Sequence, residues 1–123
     1  NGGLGTNTLG ATNGGNAWVV TAANTGTLNG AATTFSNINT LAGGSATDTL
    51  TSVVGGDTYT ITGANAVTLT TGAVNATSME ALTGLAGNDT FTLAAGILNF
   101  TGAINGGLGT NTLGATNGGN AWS

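Results

Sequence analysis

The chain contains no lysine, arginine, histidine, cysteine or proline in its 123 residues. Without lysine or arginine nothing can neutralise phosphates, which excludes nucleic acids and anionic membrane surfaces as partners. Without histidine or cysteine there is no ordinary general base or thiolate nucleophile, and no cation to hold an oxyanion, so enzymatic activity is not expected. The lack of cysteine rules out disulfide staples and leaves the redox compartment open. The lack of proline means that nothing interrupts backbone pairing. Charge is almost absent: Asp48, Asp57, Glu80 and Asp89 are the only charged side chains, for a net charge of -4. No apolar run is long enough to span a bilayer, so membrane insertion is not expected.

What remains is glycine, threonine, asparagine and small apolar residues. There are 24 glycines, and 39% of the chain is hydrophobic against 3% charged. Disordered chains have the opposite balance. Residues 1–18 read NGGLGTNTLGATNGGNAW, and the same eighteen letters return at 105–122. Residues 1–104 are therefore expected to be one full tandem repeat, and 105–123 the start of the next, in an array longer than this chain. The repeat subdivides without gaps into units at 2–23, 24–42, 43–64, 65–83 and 84–105, three of 22 residues alternating with two of 19.

Each unit carries a Thr followed by a large apolar residue: Leu9, Leu28, Leu50, Leu69 and Phe91. A second column reads Trp18, Ile38, Tyr59, Met79 and Phe100, continued by Trp122. Around them the sequence alternates, as in DTLT, DTYTIT and DTFTL, which is the period-2 signature of a half-buried strand. The expected fold class is all-β: a β-solenoid of five stacked coils, with both columns as inward ladders and the flanking threonines outward. At one strand spacing per coil, five coils rise roughly 24 Å.

GLAGNDTFT at 84–92 resembles the glycine-rich nonapeptide of the repeats-in-toxin family, with GGSATDTLT at 43–51 and GGLGTNTLG at 2–10 as weaker versions. The longer grammar, with TYTITGANAVTL, FSNINTLAGG and MEALTGLAGNDTF, is similar to β-strand-repeat segments of giant secreted bacterial surface and adhesin-like proteins. The resemblance implies an extracellular or cell-surface location. It also implies calcium at the Asp position, which falls on Asp48 and Asp89, with Asn7 and Asn111 in the equivalent places. The sequence departs from the motif: Leu85 and Ala46 replace glycines, and the nonapeptides are not in direct tandem. The residues themselves favour Asp and Asn as side-chain caps of tight turns over calcium ligands.

The remaining side chains read plainly. Asp48 and Asp89, two units apart, are expected in one column on the order of 10 Å apart, at the far edge of the spacing of an inverting glycosidase, and nothing around them in the sequence would raise one carboxyl's pKa, so the pair reads as coincidence. Glu80 is expected as a solvated side chain, and Asp57 as a residue shaping the turn after Gly55 and Gly56. Outward Thr-x-Thr pairs resemble the flat arrays of ice-binding solenoids, an alternative weighed against threonine's simple fitness for a wet sheet face. The expected function is that of a structural segment in a secreted fibre, stalk or surface layer. Its partner is itself, by end-to-end stacking or within one giant chain. The alternative is the repeat region of an adhesin.

Overall fold

The computed structural model describes residues 1–53, 55–96 and 100–116. Val54, residues 97–99 and residues 117–123, which include Trp122 of the second column, lie outside the described set. Among the described residues the chain is all-β, with thirteen strands and no helix. The strands are β1 (Thr8–Gly10), β2 (Ala17–Ala22), β3 (Thr25–Leu28), β4 (Thr34–Ser36), β5 (Thr40–Ala42), β6 (Thr49–Ser52) and β7 (Thr58–Gly63). They continue with β8 (Ala66–Leu69), β9 (Val74–Thr77), β10 (Ala81–Thr83), β11 (Thr90–Leu93), β12 (Ala103–Asn105) and β13 (Thr112–Ala115).

These strands form two mixed sheets, ordered β1-β5-β9-β8-β7-β11-β13 and β12-β10-β6-β2-β3-β4. The chain alternates between them. Single strands pair in parallel with strands laid down a full circuit earlier or later, as in Thr49 opposite Ala81 or Thr90 opposite Thr112. Twice the chain instead folds back within one sheet as a three-stranded antiparallel meander, β2-β3-β4 and then β7-β8-β9. The meanders lie 41 residues apart (Ala17 to Thr58) in opposite sheets. The sheets consequently advance together, with six strands each before β13 repeats β1.

The core lies between the inward faces. In the second sheet one inward row runs Leu28, Trp18, Leu50, Leu82, Ile104. In the first, one row runs Leu9, Leu41, Ala76, Val67, Ile61, Leu93 and another joins Val74, Leu69, Tyr59, Phe91, Leu113. Tyr59 and Phe91 stack with centroids 4.7 Å apart, and Trp18 meets Phe35 edge-on at 6.4 Å. Aromatic pairs in these geometries add to the area they bury.

These rows differ from the columns expected of five like units. Leu28 lies beside Trp18 in one sheet, whereas Leu9 pairs with Leu41 in the other. Leu69 faces Tyr59 across a hairpin. Leu50, Leu69, Trp18, Tyr59, Met79 and Phe91 are buried, Ile38 nearly so, and Leu9, Leu28 and Phe100 are half-buried. Ile38 and Met79 belong to no strand and sit at equivalent corners, where their backbone N–H groups donate to Asn24 O and Asn65 O. The physical reason is the meander: a return strand places like sequence columns antiparallel within one sheet instead of stacking them in parallel.

Candidate functional site

Immediately before most strands stands an Asn, Asp or Glu whose side chain reaches along the stack rather than out to water. Asn39 Oδ1 accepts the backbone N–H of Asn7 at 3.0 Å. In the other sheet Asp48 Oδ1 accepts Asn16 N at 2.8 Å, and Glu80 Oε2 accepts Asp48 N at 2.9 Å. Back in the first sheet, Asp89 Oδ1 accepts Asp57 N at 2.8 Å, and Asn111 Oδ1 accepts Asp89 N at 2.9 Å. Each bond satisfies an N–H at a turn where the strand ladder has not begun. Together they form polar ladders beside the apolar rows.

Four of the side chains at these pre-strand positions fold over a glycine five residues earlier: Gly2 under Asn7, Gly43 under Asp48, Gly84 under Asp89 and Gly106 under Asn111. A Cβ on Gly43 would lie 2.6 Å from Asp48 Oδ2, and one on Gly106 2.6 Å from Asn111 Nδ2. The leading glycine of the GGLGTN and GGSATD stretches is thus a steric requirement of the ladder. At the second glycine position Gly3, Gly44 and Gly107 have positive φ, and Leu85 takes the same left-handed backbone at φ 65°.

An amide and a carboxylate differ here at one atom. Asn7 Nδ2 donates to Asn37 O at 3.0 Å and Gly5 O at 3.1 Å. Asn16 Nδ2 donates to Asp48 Oδ1 at 2.8 Å, Gly43 O at 3.0 Å and Gly14 O. The corresponding second oxygens of Asp48, Asp57 and Asp89 are buried without a hydrogen-bond donor. Asp57 Oδ1 accepts the hydroxyls of Ser52 at 2.9 Å and Thr71 at 2.6 Å. Burial raises the Asp57 carboxyl above the ordinary carboxylate range; those two hydroxyls pull it down, and the neighbouring Asp89 pushes it up. Burial likewise raises Tyr59, with Asp57 adding to the shift. The Tyr59 hydroxyl donates to Thr83 O at 2.8 Å and accepts Ser52 N at 3.1 Å, tying the two sheets together.

The structure does not bring Asp48 and Asp89 together. Asp48 precedes β6 in one sheet and Asp89 precedes β11 in the other, and the adjacent buried carboxylates are Asp57 and Asp89. The 41-residue spacing switches sheets, so the two aspartates share a sequence column without sharing a wall. The two do not share one site, since they precede strands of opposite sheets and each gives Oδ1 to a backbone N–H. Glu80 is not simply solvated. Its carboxylate accepts both Asp48 N and Asn65 Nδ2, the latter at 2.8 Å. Asp57 does more than shape its turn, since it binds side chains from two other segments. No sequence signal marked Glu80, because its partners lie 15 and 32 residues away.

The outward face of the first sheet carries a continuous row of Thr8, Thr40, Asn75, Thr68, Thr60 and Thr92, ending at Gly114. Thr68 Oγ1 donates to Asn75 Oδ1 at 2.8 Å within that row. Compared with protein-family models, with curated proteins and with solved structures, the chain matches none.

Proposed function

We propose that this chain is a segment of a tandem-repeat β-solenoid serving as a non-enzymatic structural element of an extracellular or bacterial cell-surface fibre, stalk or surface layer. The observation that carries the reading is that β1 and β13 are one sequence, placed at opposite ends of one sheet. A sheet that begins and ends on the same strand defines a unit that can be continued without a new kind of contact. Such head-to-tail contacts do not close on themselves and generate filaments. The parallel ladders, the buried rows between them and the side-chain ladders at the turns resist local opening as a unit. A chain without Lys or Arg also offers no cleavage site to trypsin-like proteases. Holding the ligand-binding domain of an adhesin away from a surface would use the same mechanical property.

Chains of one, two and three 104-residue blocks test the reading. Solution scattering is expected to show a rod that lengthens by an equal step per block. The unfolding midpoint is expected to rise with block number, because each unit is stabilised by its neighbours. Flexibly joined beads with a midpoint independent of block number would refute it.

A further inference from the structure

We infer that successive blocks join by uninterrupted β-pairing in one register: the edge of β12 that no described strand covers receives β4 of the following block, and the corresponding edge of β13 receives its β5. The inference rests on the tandem-array reading above and specifies its interface.

Both halves of the junction are already present, seen from opposite sides. Residues 1 and 2 have the same sequence and place in the repeat as Asn105 and Gly106, the end of β12 and the residue after it. They are seated on β4: Gly2 N donates to Ser36 O at 2.9 Å, and Asn37 Nδ2 donates to Asn1 Oδ1 at 3.2 Å. The equivalent bond from Gly84 N to Asn105 O marks a register in which Thr83 faces Asn105. By the same rule Asn1 faces Ser36, so Asn105 faces Ser36 of the next block and Ala103 faces its Thr34. In the first sheet, β1 shows the partner on one edge (Leu9 against Leu41), and β13 shows the partner on the other (Leu113 against Phe91).

Two further observations agree. The outward row that starts at Thr8 reaches Gly114, two residues past Thr112, the copy of Thr8. In the second sheet the row from Asn105 ends at Thr34, which in the junction register faces Ala103, again a shift of two. Both sheets therefore slip by the same amount per block, which a continuous stack requires. Leu113 is also 49% exposed, whereas its copy Leu9 is half-covered beside Leu41. The occupant is the next block of the same chain. Two separate copies would bring β13 of one and β1 of the other to a single row.

The test uses the full chain lengthened by one block, with residues 1–104 placed ahead of residue 1. Ala103→Cys in the first block is paired with Thr34→Cys in the second, in a sequence otherwise free of cysteine. Directly opposed residues on paired strands lie within disulfide range. Oxidation is expected to close that bond nearly completely, while Ala103→Cys paired with Ala17→Cys of the second block, three strands further on, stays reduced. The reverse result, or closure of neither pair, would overturn the junction. Scattering on the same samples separates the two claims. A lengthened rod without the Thr34 crosslink overturns the register alone, whereas flexibly joined beads overturn the tandem reading as well.

Discussion

Asp48 and Asn7 hold the same place in two stretches of like sequence, and their side chains act alike except at one atom. Asn7 donates from Nδ2 to the carbonyl of Asn37, whereas Asp48 turns a buried, donor-less Oδ2 toward the glycine beside which the equivalent carbonyl, that of Ser78, lies. Asp48→Asn supplies the missing donor and keeps Oδ1 for Asn16. It is expected to raise stability by about 1 kcal/mol, since an unsatisfied buried polar atom costs about 1–3 kcal/mol. Chemical denaturation checks this. Asp57 gives a pH-dependent counterpart. Its raised carboxyl binds a proton more tightly in the folded chain than in the unfolded one. Stability is therefore expected to rise as pH falls from neutral through the raised folded value, until the ordinary carboxylate value near 4 is passed. Asp57→Asn should flatten that part of the profile relative to the parent chain; an identical acid profile in both would contradict the assignment. The sequence marks these positions through the recurring Asp-Thr and Asn-Thr steps after glycine-rich turns. It does not show what each side chain meets, because the partner is 22 or 32 residues away.

At the scale of elements the two meanders solve one packing problem in two ways. In β3 and β4, Gly26 faces Phe35, and a Cβ on Gly26 would press on the backbone carbonyl of Val19 and lie 2.6 Å from the Phe35 ring. In β8 and β9 the same slot holds Val67 opposite Ala76. A small residue against a large one fills the space in either order. Gly26→Val alone is expected to cost about 2–3 kcal/mol through overpacking. Adding Phe35→Ala removes the ring contact but leaves the one with Val19 O, so a double-mutant cycle is expected to return only the ring's share of the loss, as a coupling of about 1 kcal/mol. Simple additivity of the two losses would show that the slots are not equivalent. The all-β class and most of the strands follow from the period-2 alternation around Thr-Leu and Thr-Phe, and the buried residues largely follow from it too. The meanders do not. TGTL and AVTL look like TLT and TFTL when read for alternation alone, and nothing local says that β3 and β8 run backwards. The sign of that direction is settled by hairpin turns at Asn24 and Asn65, which resemble the other Asn-rich turns of the chain.

For the molecule as a whole, the meanders set the dimensions. Five like coils would have carried the chain up five strand spacings per 104 residues. Two meanders, one in each sheet, add return strands and bring the count to six in both. Because the second meander falls in the opposite sheet, neither sheet outruns the other, and the repeat comes back into phase at β13. The doubled stretch at 1–18 and 105–122 points to an array, but the rise per block depends on strand pairing that no sequence column displays. Fibre diffraction or cryo-electron microscopy of the proposed filament measures that rise directly. Six strand rows predict a strong reflection near 4.8 Å and an axial repeat of roughly 29 Å. A repeat of roughly 24 Å, as five equal coils would give, or separate beads along the fibre, would contradict the two-meander architecture as the unit of the filament.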